Sequence, residues 1–335
     1  MAFPLTLSQL AARSGNDALI GLVDDVIYNS PEMQLIPTRP VVGTSYRVGR
    51  VTSFPNAQFT QVGQGATPSN SVFNQEVASL YWLDLQLELA EAIVKADEGN
   101  TMEDLLTGES SRALRSAFQL LGKQIYYGLA NDPNGFQGLG PVIGTNTQYY
   151  IDASAGSPNP TGANSSAYLV RMSNDAISMA VGRNGIMELA PWAKQQVSVP
   201  NGTSPTQATI KKQMAYVSNF SGYFGLTVAS AFSAWKIGNI SSAIGKNSGG
   251  TTFNLTDQLG AELMALIPLQ YRKDLKWFMP RDAAFSLQAS RTAVTQQVTT
   301  PEGYYGWSAE PTKLAGIEII QTDSLKNPVA GVGGE

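Results

Sequence analysis

The chain of 335 residues contains no cysteine and no histidine. No disulfide can form, no thiol can act as a nucleophile, no zinc site of the usual Cys/His kind can be built, and no imidazole can serve as a general base. An enzyme written in this alphabet would have to work with carboxylates, Lys, Tyr or a Ser–Lys pair. Charge is scarce too: Asp, Glu, Lys and Arg make up 14% of the residues, against roughly 25% in an ordinary soluble domain. The surface must then consist largely of Ser, Thr, Asn, Gln and Gly, which suits a chain covered by copies of itself better than a lone monomer. Net charge is −4, and no Lys/Arg run exceeds two residues, as at Lys211-Lys212. The clustered cations of tight nucleic-acid binding are missing. No stretch stays apolar for the ~18 residues of a membrane span. The opening "MAFPLTLSQLAARSG" lacks the basic and long apolar regions of a secretion signal, so the Asn-x-Ser/Thr sequons at Asn164, Asn201, Asn219, Asn239 and Asn254 read as by-products of composition.

What is present is ample apolar material, 43% of the chain, enough for one or two domains. Residues 1–40 read as an arm: a short helix, "SQLAARSG", then "NDALIGLVDDVIYNSP", with Pro31, Pro37 and Pro40 stopping regular structure. Asp24-Asp25 lies between Val23 and Val26 and reads as a solvated helix face rather than a carboxylate dyad. Residues 41–76 read as a long exposed hairpin with a turn at Gly63, Gly65 and Pro68. It carries too few apolar residues to hold a core and must lie against something else. From Leu83 to Leu89 the pattern L-D-L-Q-L-E-L alternates strictly, so a strand buries its leucines on one side. The period then changes. Thr101 with Asp104 resembles a capping box, and Leu114, Phe118, Leu121, Ile125 and Leu129 form an apolar stripe on a long helix ending at Asn131-Asp132-Pro133.

The next segment, "NDPNGFQGLGPVIG", spaces its last three glycines as G-x-G-x-x-x-G and follows a helix. The dinucleotide fingerprint is G-x-G-x-x-G and follows a strand, so this is no phosphate site. A glycine loop that can take φ > 0 and approach another backbone closely remains. Residues 145–255 are compositionally distinct. Stretches such as "QMAYVSNFSGYFGLTVASAFSAWKIGNI" suggest several short strands with Gly-rich turns. "DQLGAELMALIPL" reads as an amphipathic helix, "LKWFMPRDAAFSLQASRTA" as a short buried strand, a turn and a helix, and "GYYGWSAEPTKLAGIEIIQTD" as a loop and a strand. Ser233-x-x-Lys236 fits the nucleophile motif of serine β-lactamases, but the companion Ser-Asp-Asn and Lys-Thr-Gly are absent.

This order of elements resembles the major capsid proteins of tailed double-stranded-DNA phages, the Hong-Kong-97-type fold. "NDPNGFQGLG" is similar to the glycine loop after that family's spine helix. "LKWFMPRDAAFSLQ" resembles its Trp-x-Met-x-Arg strand and helix, and "LAGIEIIQTDSL" its Gly-x-Pro-Val return strand, with Ile317 where Pro often stands. A short-tailed phage of the epsilon-fifteen kind suits the length. The resemblance implies an α+β fold with an N-terminal arm (1–40), an E-loop hairpin (41–76) and a P-domain strand, spine helix and glycine loop (77–144). An A-domain (145–300) with a β-rich insertion at about 146–255 follows, then a return strand and C-terminus (301–335). It implies a structural protein with no cofactor and no catalytic or metal site. Copies would assemble through hexamers and pentamers into an icosahedral shell around DNA, without sequence-specific binding and without a membrane. Implied partners are a portal, a separate scaffolding protein (since the arm starts within a few residues of Met1) and a decoration protein. Arg47, Arg50, Gly63, Gly65, Pro68, Asn134, Gly135, Gly138 and Gly140 are the expected assembly contacts. Two other readings stay open: a carbohydrate-binding or adhesin module, favoured by the Asn, Thr and Trp of the middle region, and a carboxylate-only glycosidase, for which no acidic pair stands out.

Overall fold

The protein was analysed as a computed structural model that describes residues 30–53, 55–96, 101–154, 164–201, 209–230, 232–241, 253–291 and 311–325. The arm helix, Asp24-Asp25 and the segments "GKNSGGTT" and "GYYGWSAE" lie outside these residues. The first elements are α1 (Pro31–Leu35), β1 (Thr38–Pro40), the hairpin strands β2 (Ser45–Ser53) and β3 (Val72–Ser79), β4 (Tyr81–Ala90) and α2 (Glu91–Ala96). The long helix α3 (Met102–Tyr127) and short α4 (Leu139–Ile143) come next. Strands β5 (Tyr150–Asp152), β6 (Asn164–Arg171), β7 (Ile177–Val181), β8 (Glu188–Leu189), β9 (Ala193–Asn201), β10 (Thr209–Val228) and β11 (Ala234–Ser241) follow. The chain continues through α5 (Asp257–Ala265), β12 (Leu275–Met279), α6 (Arg281–Ser290), β13 (Lys313–Leu314) and β14 (Ile317–Gln321).

The alternating leucines form β4 as expected. Asp84, Gln86 and Glu88 are exposed, Leu83, Leu85, Leu87 and Leu89 are half-buried, and the strand pairs antiparallel with β10 from Ala90↔Ala215 to Tyr81↔Phe224. β10 is the spine of the first sheet, whose path is β1-β7-β10-β4. Its other edge pairs in turn with β9, β8 and β7. The second sheet runs β13-β14-β12-β6-β11-β5. Both its faces are covered, so neighbouring residues on β6 belong to different cores: Tyr168 and Val170 to one, Ala167 and Leu169 to the other. The middle region is β-rich, and its strands divide between these two sheets.

One correction concerns strand length. Instead of several short strands, residues 209–228 make a single twenty-residue strand that runs through Gly222 and Gly225. Those glycines are not turns. A Cβ on Gly222 would stand 2.8 Å from the Phe224 ring, and one on Gly225 2.7 Å from Leu80 Cδ2 and the Ser79 carbonyl. They are small because neighbours press on the strand.

Helix α3 begins at Thr101, whose Oγ1 accepts the Asp104 N–H at 3.3 Å. Its stripe Leu114, Phe118, Leu121 and Ile125 is buried, packed with Phe220 and Phe224 of the first sheet and Tyr168 and Phe278 of the second. The stripe was expected to include Leu129, but Leu129 is 50% exposed. The helix stops at Tyr127, and Gly128 at φ 57 turns the chain out of phase. On the far face of the second sheet, α5 and α6 cover Trp235, Ile237 and Trp277. A fork from Arg291 to both Asp257 oxygens, each at 3.0 Å, ties the end of α6 to the start of α5.

Phe118 is fully enclosed and meets the Phe220 ring edge-on at 6.5 Å. Phe118→Ala should therefore cost about 3–5 kcal/mol of unfolding free energy, and Leu129→Ala no more than about 0.5 kcal/mol. Denaturant midpoints of the two variants test this; equal midpoints would refute the placement of the stripe.

Candidate assembly interface

The hairpin's strands pair antiparallel from Ser45↔Ser79 to Ser53↔Val72, with an irregularity between Val51 and Ser53. Beyond them residues 55–70 form no strand, and every one of them is exposed. The loop closes at its base, where Ser69 Oγ accepts the Asn56 N–H (2.9 Å) and donates to the Asn56 carbonyl (3.0 Å). Its tip turns at Gly63, φ 91, a conformation that glycine adopts without strain. No Asp, Glu, Lys or Arg occurs between residues 54 and 71. In that charge-free stretch Phe59 and Val62 are wholly exposed, at 109% and 108%. Two large apolar side chains exposed on an uncharged loop make this tip a candidate contact surface.

The hairpin's root is firm. Leu80 is buried with Val41 and Ala180, and its N–H donates to the Thr44 carbonyl at 2.8 Å. Arg39 of β1 hydrogen-bonds the Tyr46 hydroxyl and stands 5.0 Å from the centre of its ring. Arg47 is exposed and makes no ion pair among the described residues, and the side chain of Arg50 lies outside them. Gly65 faces open space and Pro68 is exposed.

The glycine loop has a reason for its glycines inside its own chain. It folds back on the end of α3. A Cβ on Gly138 would stand 2.4 Å from the Gly128 nitrogen and 2.7 Å from the Gln124 carbonyl oxygen. On Gly135 it would meet Gln124 Nε2 at 2.4 Å, and on Gly140 the Tyr126 carbonyl at 2.8 Å. Gln124 clamps the loop: its Nε2 donates to the carbonyls of Phe136 (2.8 Å) and Asp132 (3.2 Å), and its Oε1 accepts from Asn131 Nδ2 at 2.9 Å. Positive φ was expected along this loop; it occurs at Gly128 and Gly144 and not at Gly135, Gly138 or Gly140. Asn134 is exposed, and its N–H donates to Asp132 Oδ1 at 2.9 Å. The loop's outer side, with β4 and the hairpin root, borders two hollows that share Tyr81 and Phe136, one of about 70 Å³ with a mostly apolar lining and one of about 130 Å³ with a mixed lining. Trp82 and Val142 stand half-exposed at their rims.

A second projection was not anticipated from the sequence. Residues 193–201 of β9 and 209–214 of β10 pair as a ribbon beyond the edge of β4. Only the alternation in "AKQQVSV" hinted at it. Its root is fixed by Glu91, which accepts from Lys194 at 2.6 Å and pairs with Lys95 at 2.7 Å. Hydrogen bonds from these two amines hold the Glu91 carboxyl below the ordinary carboxylate value.

The chemically tempting residues are placed as structure. Ser233 is buried and its hydroxyl donates to the Ser230 carbonyl at 2.7 Å. The Lys236 amine lies 5.9 and 5.6 Å from the Tyr150 and Tyr168 rings, and burial lowers its pKa. Among the described residues no group of three or more Asp or Glu gathers to hold a metal ion, and no helix is long and apolar enough to cross a membrane.

The clamp makes a sharp prediction. Gly138→Ala should prevent the loop from closing and lower the unfolding midpoint by several degrees, corresponding to about 1–3 kcal/mol of overpacking. Gly65→Ala, with nothing within 4 Å, should leave it unchanged. If Gly138→Ala melts like the unaltered protein, the close approach of Gly128 and Gly138 is disproved.

A family model described as major capsid protein GP7 matches residues 41–332. Among solved structures, a chain of the bacteriophage Epsilon15 structure is similar with TM-score 0.58 at 16% identity, over 87% of this chain and 85% of that one. A chain of the bacteriophage JBD30 capsid aligns with TM-score 0.47 at 12% identity, over 88% and 91% of the two chains. A chain of the JBD30 capsid decorated with minor capsid protein trimers aligns with TM-score 0.45 at 11% identity, over 88% and 90%. No curated protein sequence matches. The Epsilon15 likeness shows a shared fold.

Proposed function

The chain belongs to the family of major capsid protein GP7 and is a structural protein of a phage virion shell, not an enzyme, and we propose that its copies hold one another without covalent links, chiefly through the hairpin 41–76. The Hong-Kong-97-type reading of its fold stands with the family, and the adhesin and glycosidase readings fall away. The observation that carries the proposal is the charge-free tip with Phe59 and Val62 wholly exposed on a loop that makes no core of its own. Burial of those two side chains on a neighbour contributes about 1.5–3 kcal/mol each. The glycine loop and the hollows beside Tyr81 are the second part of the same surface.

The non-covalent character rests on the amino acids available. A covalent amide link between side chains of neighbouring copies would need a lysine amine, and the hairpin, residues 41–76, supplies none. Arg47 and Arg50 keep their protons and are poor nucleophiles. Cysteine is absent, so no disulfide replaces the link. On this reading 1–40 is the arm, 77–144 the P-domain portion, 145–300 the A-domain and 301–335 the returning segment. The shell is icosahedral, built of hexamers and pentamers in the host cytoplasm, with a portal, a separate scaffolding protein and a decoration protein as partners. A net charge of −4 on each copy keeps the wall from adhering to enclosed DNA.

Deleting residues 56–70 should leave a folded subunit, with an unfolding midpoint within about a degree or two of the full chain's, that forms no particles in the electron microscope. Normal shells from the deleted chain would refute the hairpin's role, and so would loss of the fold. Particles boiled in detergent should run as one band at the mass of a single chain; a ladder of multimers would show covalent links.

A further inference from the structure

Glu32 is the single acidic or basic side chain that is fully buried among the described residues. It sits in the first turn of α1, where the chain enters the body, and it touches the two other segments that meet there. Its Oε1 accepts from the Tyr126 hydroxyl of α3 at 3.1 Å and from the Thr322 hydroxyl just beyond β14. Thr322 Oγ1 in turn accepts the Ser324 N–H at 3.0 Å. The packing is close enough to require glycine opposite: a Cβ on Gly122 would stand 2.2 Å from Ser324 Oγ and 3.9 Å from Glu32 Oε2. Three parts of the chain distant in sequence are therefore joined through one carboxyl group.

The same carboxyl is poorly provided for as an anion. Oε2 is buried with no hydrogen-bond partner. Among the described residues no cation faces it. From α3 the titratable group is Tyr126, whose own hydroxyl is pushed well above its ordinary value by burial and by the neighbouring carboxyl, with Tyr168 and Tyr127 beyond it. From the final segment it is Asp323, which pairs outward with Arg281 at 3.1 Å, both more than half exposed. A buried anion without a counter-charge and with one bare oxygen is strongly disfavoured, whereas the neutral acid keeps both bonds to Oε1. Burial accordingly raises the Glu32 pKa above 4.5, and the hydrogen bonds from Thr322, from the backbone, from Tyr126 and from the Ser324 side chain oppose it only in part.

We propose that the Glu32 carboxyl latches residues 30–36 and 322–325 onto the long helix, and that rising pH loosens this latch by ionising it. The proposal concerns the subunit alone and stands apart from how copies meet. Its pH signature has a definite sign. With the folded value raised above 4.5, the native state binds more protons than the unfolded one between those two values. The stabilisation is complete below about pH 4.5, declines as pH rises, and is lost once pH passes the folded value. In that window the unfolding equilibrium constant rises by up to about tenfold per pH unit.

The test compares denaturation of the purified full chain with that of Glu32→Gln, which keeps the shape and cannot ionise, from about pH 4 to about pH 10. The unaltered chain should lose stability relative to Glu32→Gln as pH rises from about 4.5 and then run parallel to it. Over the same range its cleavage by a protease within residues 30–40 should accelerate, while that of Glu32→Gln stays flat. Parallel stability curves throughout would overturn the proposal. Should Glu32→Gln fail to fold, Tyr126→Phe serves instead. It removes one bond that favours the anion, so the decline must extend to higher pH than in the unaltered chain. A decline at an unchanged pH would overturn the latch equally.

Discussion

The enclosure of one helix face by two sheets at once is the interaction on which the rest depends. Leu114, Phe118, Leu121 and Ile125 are buried on that face against Phe220 and Phe224 on one side and Tyr168 and Phe278 on the other. A helix twenty-six residues long spans about 39 Å, so this contact fixes both sheets relative to one rigid rod. The rod's C-terminal end in turn positions three neighbouring segments. Gln124 clamps the glycine loop, Tyr126 meets Glu32, and Gly122 admits Ser324. Loop, chain entry and chain exit are thus held within two turns of the same helix.

The hairpin 41–76 and the β9–β10 ribbon share in this only at their roots. Leu80 with Val41 anchors the first and Glu91 with Lys194 the second. Beyond the roots there is backbone pairing without a core beneath it. On the proposed reading the charge-free tip at residues 55–70 suits a contact, because each charge brought into one must be desolvated; the ribbon, with Lys194, Lys211 and Lys212 in its sequence, carries charge of its own. Ion pairs among the described residues, such as Lys276 with Glu318 and Arg291 with Asp257, join elements of the same body. An exposed pair such as Lys276 with Glu318 contributes only about 0–1 kcal/mol, whereas the part-buried fork of Arg291 on Asp257 holds its two helices together.

What could be read in the sequence was what depends on near neighbours along the chain. The L-D-L-Q-L-E-L alternation, the Thr101 cap and the first four members of the helix stripe reflect local period and local hydrogen bonding, and each stands in the structure as read. The misreadings of the glycines share one cause. Gly222 and Gly225 looked like turns because glycine alone does not reveal whether it is chosen for its torsions or for lack of a side chain. At Gly225 the deciding atoms, Leu80 and the Ser79 carbonyl, come from a distant part of the chain. The loop glycines have the same ambiguity: Gly138 is small because Gly128 faces it across a folded-back chain. Glu32 carried no signal at all. An acidic residue after proline in a short helix reads as a surface residue, and only the approach of Thr322 and Tyr126 makes it interior.

On the proposed reading, the strength of a single contact also sets how the shell must be built. Burying Phe59 and Val62 yields about 3–6 kcal/mol together, while bringing two free bodies into one costs at least about 4 kcal/mol. A lone pair of subunits joined by one hairpin therefore scarcely holds. On that reading, a hairpin that lies on a different patch of its neighbour makes a head-to-tail contact, which closes into a ring where the rotation between copies closes. Closing the ring adds one more contact without freezing another free body, so the last subunit is held from both sides. A hairpin with no charge at its tip and no reactive amine thus gives contacts weak enough to correct singly and stable once every copy is in place.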